Sequence, residues 1–157
     1  MKKLILITVL ALVYLATYAQ TYVYPGRTLI YNEILCSVNG GHVLPEQSVM
    51  WNDAIVTCDN DHIYNGFSTS PFEVLYTFED GKLYLGDSIF TSDIMYTWSN
   101  GTIYRGDSTF PMDRLFSYKN GYVYSEEGET VFDILLTIEG DLSVTELFGV
   151  LLALEYI

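Results

Sequence analysis

Two serines stand in the same short setting, Gly86-Asp87-Ser88-Ile89 and Gly106-Asp107-Ser108-Thr109. A serine hydroxyl becomes a nucleophile only beside a general base, commonly histidine. The chain has two histidines, His42 and His62, both upstream of both serines. Two imidazoles do not fill a zinc site, and no third ligand is evident in the sequence. Six acidic residues, Glu33, Asp53, Glu73, Asp93, Asp113 and Asp133, recur every 20 residues. Carboxylates hold Ca²⁺, but that ion gathers about six to eight oxygens at one point, and even spacing spreads these groups out. Acidic residues just ahead of a strand more often cap a turn. The chain holds 14 tyrosines, and five of them, Tyr24, Tyr64, Tyr84, Tyr104 and Tyr124, keep the same spacing. Such a ring serves either cross-strand pairing or, if exposed, stacking on a sugar or a partner.

The shared spacing is itself the main signal. Asp80–Ser99 and Asn100–Lys119 are neighbouring copies of one 20-residue unit, and sliding by 20 residues finds four more, starting at Gln20, Gly40, Asn60 and Asn120. Such self-similarity marks a repeat architecture. With places numbered 1 to 20 in each copy, place 4 is always aliphatic (Val23, Val43, Ile63, Leu83, Ile103, Val123). Place 16 is always apolar (Leu35, Ile55, Leu75, Met95, Leu115, Leu135), and place 18 is always Ser or Thr. Ser or Thr at place 9 gives way to Gly128 only in the last copy; a hydroxyl there bridges a turn to the backbone.

Each copy reads as two short strands, one centred on places 3–6 and one on places 15–19, rich in β-branched and aromatic residues. Asn-Gly or Asp-Gly opens the copies at Asp80, Asn100 and Asn120 and marks tight turns needing positive φ. Pro25 and Pro45 end first strands, and Pro71 and Pro111 precede second strands, so none interrupts a central strand. The expected register turns places 4 and 16 toward a common core, with place 18 on the face of place 16. The tyrosines at place 5 and the residues at 15, 17 and 19 then face the other way.

Both ends depart from the repeat. Met1–Ala19 reads as a leader: Lys2 and Lys3, an apolar run Leu4–Leu15, and the small-residue exit Thr17-Tyr18-Ala19. The run is short for a membrane span, which takes about 20 residues, and the alternative is an uncleaved anchor. Cleavage after Ala19 starts the mature chain at Gln20, the first place of the first copy. Without Lys2 and Lys3 the chain carries five basic and twenty acidic residues, a charge of -15. That balance excludes nucleic acid and anionic lipid as electrostatic partners. Cys36 and Cys58 belong to second strands of neighbouring hairpins. With one strand between them they stand about 10 Å apart, at about 4.8 Å per strand, which favours two buried thiols over a disulfide. Gly140–Ile157 closes the chain with Ser143 and Glu146 spaced as a capping box, followed by Leu147, Phe148, Val150, Leu151, Leu152, Ala153 and Leu154. A helix apolar on every side must be buried or in a membrane, and this one is too short to span. At about 14 residues it is about 21 Å long, as long as the strands.

Twelve antiparallel strands closed in a ring leave room for that helix, and closure removes the sheet edges. The expected fold is therefore all-β with one C-terminal helix: residues 20–139 form a closed antiparallel barrel of about twelve short strands, six hairpin repeats, around the apolar helix of residues 140–157. A β-solenoid with a helical cap is the alternative, and a β-trefoil comes third.

Hairpin repeats in a ring on a short exported chain, with the rhythm Tyr84-Leu85-Gly86-Asp87-Ser88, resemble the beta-flower proteins. Twelve strands around a C-terminal apolar helix also resemble the Tubby C-terminal and phospholipid-scramblase-like barrels. That second resemblance implies head-group binding through basic residues, yet after the leader only Arg27, Lys82, Arg105, Arg114 and Lys119 are basic. The two Gly-Asp-Ser segments resemble the nucleophile segment of one lipase family, whose histidine lies near the C-terminus. Here Gly66-Phe67-Ser68 fills the same places, which makes the segment part of the structural period.

The functional expectation is an exported, non-enzymatic protein with a binding or structural role, secreted or held at the cell envelope, without a cofactor or metal. Its partner is a protein or glycan rather than nucleic acid or a lipid head group. The tyrosine ring is the candidate ligand-facing surface, and a hydrolase is the rival class.

Overall fold

The tight turns set the register of the whole wall. The computed structural model describes residues 20–126 and 128–157; the expected leader, residues 1–19, lies outside the described residues. Asp80 and Gly81 have φ of 48° and 77°, and Asn100-Gly101 and Asn120-Gly121 repeat the pattern. Two residues with φ > 0 make the hairpin turn whose twist matches the flanking strands. Glu79 then pairs with Lys82, Phe78 with Leu83 and Thr77 with Tyr84.

The strands are β1 (Thr21–Pro25), β2 (Cys36–Asn39), β3 (His42–Pro45), β4 (Val56–Asp59), β5 (His62–Asn65) and β6 (Val74–Glu79), followed by β7 (Lys82–Leu85), β8 (Ile94–Ser99), β9 (Thr102–Arg105), β10 (Arg114–Lys119), β11 (Tyr122–Tyr124) and β12 (Ile134–Glu139). Each pairs antiparallel with its neighbours, and β1 pairs with β12, so the sheet is a closed barrel. The barrel reading holds; the solenoid and trefoil do not.

The register of the second strands corrects the expectation. Residues directly opposite across an antiparallel pair share a face. Place 19 lies opposite place 4, as in Cys58↔Ile63 and Trp98↔Ile103. Places 17 and 19 therefore line the interior with place 4, and a slip of one residue exchanges the two faces. Cys36, Val38, Val56, Cys58, Leu136 and Ile138 sit in the buried core, with Tyr76, Phe78, Tyr96, Trp98, Phe116 and Tyr118 packed against it. Place 4 is buried in all six copies, as expected. Place 16 is not: Leu75 is the extra residue between the pairs Ile63↔Tyr76 and Tyr64↔Val74, and Met95 and Leu135 occupy equivalent bulges. Met95 is 37% exposed and the other five are half-buried.

The C-terminal helix α1 (Val144–Ala153) has the predicted capping box: the Ser143 hydroxyl accepts from the Glu146 N–H and the Glu146 carboxylate from the Ser143 N–H. It is shorter than expected. Tyr156 N–H donates to the Leu151 carbonyl and Glu155 N–H to that of Leu152, with Glu155 at φ 59°. This is a Schellman stop made without glycine. Leu147, Phe148, Gly149, Val150 and Leu151 are all buried. At 100° per residue they point to every side, so the barrel surrounds the helix. Among the described residues no helix is long and apolar enough to cross a membrane.

Candidate functional site

The loops between the two strands of each copy all leave and re-enter the wall at the end opposite the tight turns. Their shape comes from the residues singled out above for chemistry. At place 9 the hydroxyls of Thr28, Ser48, Ser68, Ser88 and Ser108 accept from the backbone N–H two residues on. Ser48 also donates to the Asp53 carboxylate at 2.7 Å, and Ser88 and Ser108 donate likewise to Asp93 and Asp113. In the last copy, where Gly128 lacks a hydroxyl, Thr130 binds Asp133 instead through its N–H and its hydroxyl. These two bonds hold the Asp133 carboxyl below the usual carboxylate range. The acidic residue closes a single 3-10 turn in five copies, as in Pro71–Glu73 and Thr91–Asp93. The carboxylates of Asp53, Asp93, Asp113 and Asp133 thus act in their own loops. Among the described residues no three His, Cys, Asp or Glu side chains gather around one point.

His42 and His62 take separate neighbours. The His42 ring lies 5.4 Å from Trp51 and 5.0 Å from Phe67, with Nδ1 2.9 Å from the Thr57 hydroxyl. Burial holds its pKa below the usual value. His62 faces Tyr64 and stands 3.6 Å from Asp87. It meets the acid beside Ser88, while the Ser88 hydroxyl is spent on Asp93. These contacts belong to one lateral series: place 3 of a copy meets place 8 of the next as His42–Phe67, His62–Asp87 and Lys82–Asp107, the last at 2.6 Å.

Because places 3, 5 and 18 share the outer face, loops folding back on them cover the tyrosines. Tyr22 and Tyr31 rings lie 6.4 Å apart, bringing a loop against the outer wall as Trp51 does. The hydroxyls of Thr57, Thr77, Thr97 and Thr137 donate to the carbonyls of Gly66, Gly86, Gly106 and Gly26 at the loop starts. Tyr24, Tyr64 and Tyr84 are consequently buried, and Tyr104 and Tyr124 half-buried. The expected exposed tyrosine ring is therefore corrected: the tyrosines form an intermediate layer. Tyr24, hydrogen-bonded to Glu139, has its pKa pushed up to about 12, chiefly by desolvation. Cys36 and Cys58 are free, inside the barrel, with burial pushing each thiol up to about 12.

What the loops do expose is apolar. Of the 17 large hydrophobics that are exposed among the described residues, 14 lie in these six loops. The first two copies present Leu29, Ile30 and Tyr31, then Val49, Met50 and Trp51. The others present Phe67 and Phe72, Ile89 and Phe90, Phe110 and Met112, Val131 and Phe132. Phe72, Met112 and Phe132 are 97%, 90% and 94% exposed, so nothing in the fold uses their side chains. This collar was missed in the sequence because its apolar residues drift among places 8 and 10–13. Only a count over the whole loop finds it.

The model of a family described as "6-fold beta flower protein" matches residues 15–151. The chain belongs to the beta-flower family. The six tandem hairpins and the closed ring of this beta-flower protein agree with that description. No curated protein and no solved structure matches the chain. None of these comparisons supports the resemblance to the Tubby and scramblase barrels.

Proposed function

We propose that this beta-flower protein is an exported, non-enzymatic docking protein of the cell envelope, and that its contact surface is the collar of six loops. The carrying observation is the concentration of 14 exposed large hydrophobics in those loops. Soluble monomers rarely leave more than a few hundred Å² of contiguous apolar surface uncovered unless a partner uses it. The candidate nucleophiles Ser88 and Ser108 serve loop geometry, which supports a non-catalytic role. Export is supported by Lys2, Lys3 and the run Leu4–Leu15, and by the first strand beginning at Thr21, just after the proposed mature start at Gln20.

The test is a variant carrying Phe72→Ser, Phe90→Ser, Phe110→Ser and Phe132→Ser. These side chains are at least 70% exposed, so its circular dichroism and melting transition should match the parent. In cell fractionation the parent should partition with the envelope and the variant should be released. Equal partitioning of both would remove the collar as the working surface.

A further inference from the structure

We infer that the collar's partner is a polypeptide surface that is itself basic and apolar. The inference rests on the docking reading above and adds the partner's chemistry. Its ground is charge placement. In sequence, places 7–14 of the six copies hold twelve acidic residues and one basic residue, Arg27, a net of -11. The remainder of the mature chain holds eight acidic and four basic residues, a net of -4. The loops therefore carry most of the chain's negative charge on the same segments that carry its exposed hydrophobics.

Among the described residues few of those carboxylates are neutralised. Asp87 stands 3.6 Å from His62, Asp107 binds Lys82, and Glu129 meets Arg114 and Lys119. The place-14 groups of Asp53, Asp93, Asp113 and Asp133 accept from hydroxyls, which leaves their charge in place.

This combination selects among occupants. With Lys82, Arg114 and Lys119 counted beside the loop carboxylates they meet, the collar carries -8, so a second copy docking collar to collar would set like charge against like charge, which costs several kcal/mol across an interface. An anionic bilayer repels the same end. A neutral bilayer would accept Phe72 and Phe132 but would strip water from carboxylates and return no counter-charge. A basic, apolar polypeptide satisfies both features: apolar side chains cover the loop tips while lysine or arginine meets the carboxylates between them. The electrostatic part sets specificity and association rate, and the apolar part holds the complex.

The experiment uses mature protein and three synthetic probes read by fluorescence anisotropy: an amphipathic Leu/Lys helix, its Leu/Glu counterpart, and a Ser/Lys peptide that is basic but not apolar. Vesicles of phosphatidylcholine serve as a fourth probe. The Leu/Lys peptide should bind, and the Leu/Glu peptide and the vesicles should not. Binding should weaken about tenfold when salt rises from about 0.05 to about 0.5 M. It should also weaken about tenfold in the four-Ser variant, whose charge is unchanged. Glu46→Gln with Glu126→Gln should weaken it while leaving the apolar tips intact. Equal Leu/Lys binding by the parent and the four-Ser variant, or Ser/Lys binding as tight as Leu/Lys, would overturn the inference, because the attraction would then be the field of the whole chain. Vesicle binding lost in the four-Ser variant would also overturn it, yet would leave docking through the collar standing. Envelope partitioning indifferent to the four substitutions would remove both.

Discussion

The barrel presents two unlike inner walls to one helix. In the first two copies the inward places 17 and 19 hold Cys36, Val38, Val56 and Cys58; in copies three to five they hold Tyr76, Phe78, Tyr96, Trp98, Phe116 and Tyr118. The helix lies closest to β2, β3, β4 and β5. On that side Gly149 meets the wall: a Cβ there would stand 2.5 Å from the Cys58 sulfur and 3.4 Å from Val43. The Cys58 thiol in turn reaches the Thr145 carbonyl at 3.6 Å. On the far side aromatic rings span the wider gap, with Phe78 and Tyr96 centred 5.7 and 6.4 Å from Phe148. A six-fold ring has no way to be complementary to a single off-centre helix unless its inward side chains break the symmetry that its backbone keeps. Symmetry is preserved in the turns and at place 4 and abandoned at places 17 and 19, where the wall must fit the helix.

The strongest way to break this comparison is to take away what both walls share. A chain ending at Gly140, or the full chain with Leu151→Asp, should lose its cooperative melting transition and aggregate, since an unpaired charge would enter a core where Leu151 is 0% exposed. If the shortened chain stayed monomeric with an unchanged transition, the helix would contribute nothing to the core. Next in size is the aromatic wall. Phe78→Ala should cost about 3 kcal/mol in urea unfolding, because the ring bridges a gap that the helix cannot move to fill. Then comes the close contact on the small wall. Gly149→Ala should cost about 1–3 kcal/mol through overpacking, and Cys58→Ala in the same chain should recover much of it. Additive losses would show that the contact is not the cause.

The smallest effects belong to the loops, which touch neither wall. Ser88→Ala should cost about 1 kcal/mol and speed amide exchange only within its own loop. The Asp133 carboxyl is held below its ordinary value by Thr130. Its contribution is therefore complete above the unfolded carboxylate range, about pH 4, and is lost as pH falls through the lowered native value. Asp133→Asn should flatten that part of the acid limb of a stability-against-pH curve; an unchanged limb would show that its bonds to Thr130 do not favour the charged form.

Much of this fold was legible because the repeat offers six readings of one unit. The turn pairs, the twelve strands, the closure and the capped helix follow from glycine placement, β-branched runs and an apolar stretch that has nowhere else to go. The register of the second strand went wrong at place 16, whose constant apolarity was read as an inward face. It marks instead a half-buried position, a bulge in copies three to six, and Leu35, Ile55, Leu75 and Leu135 there pack against the edge of the core. The turn held the right answer: a two-residue Asp80-Gly81 loop pairing Glu79 with Lys82 also pairs Phe78 with Leu83. The tyrosines misled for a related reason. Alternation places Tyr84 outside the wall, but it does not reveal that a loop will lie on top of it.

The seam between β1 and β12 governs when this protein can finish folding. The other strands pair with chain neighbours and can zip as the chain appears, whereas Tyr24 must find Glu139, 115 residues away, and Thr21 must find Asp141, 120 residues away. Until the last copy exists, β1 and the newest strand are open edges that invite pairing with other chains. Loop closure over that distance is slow to search, and the helix that fills the barrel comes later still. Completion is thus reserved for the full-length chain. An interrupted or C-terminally clipped product should remain an open, adhesive sheet.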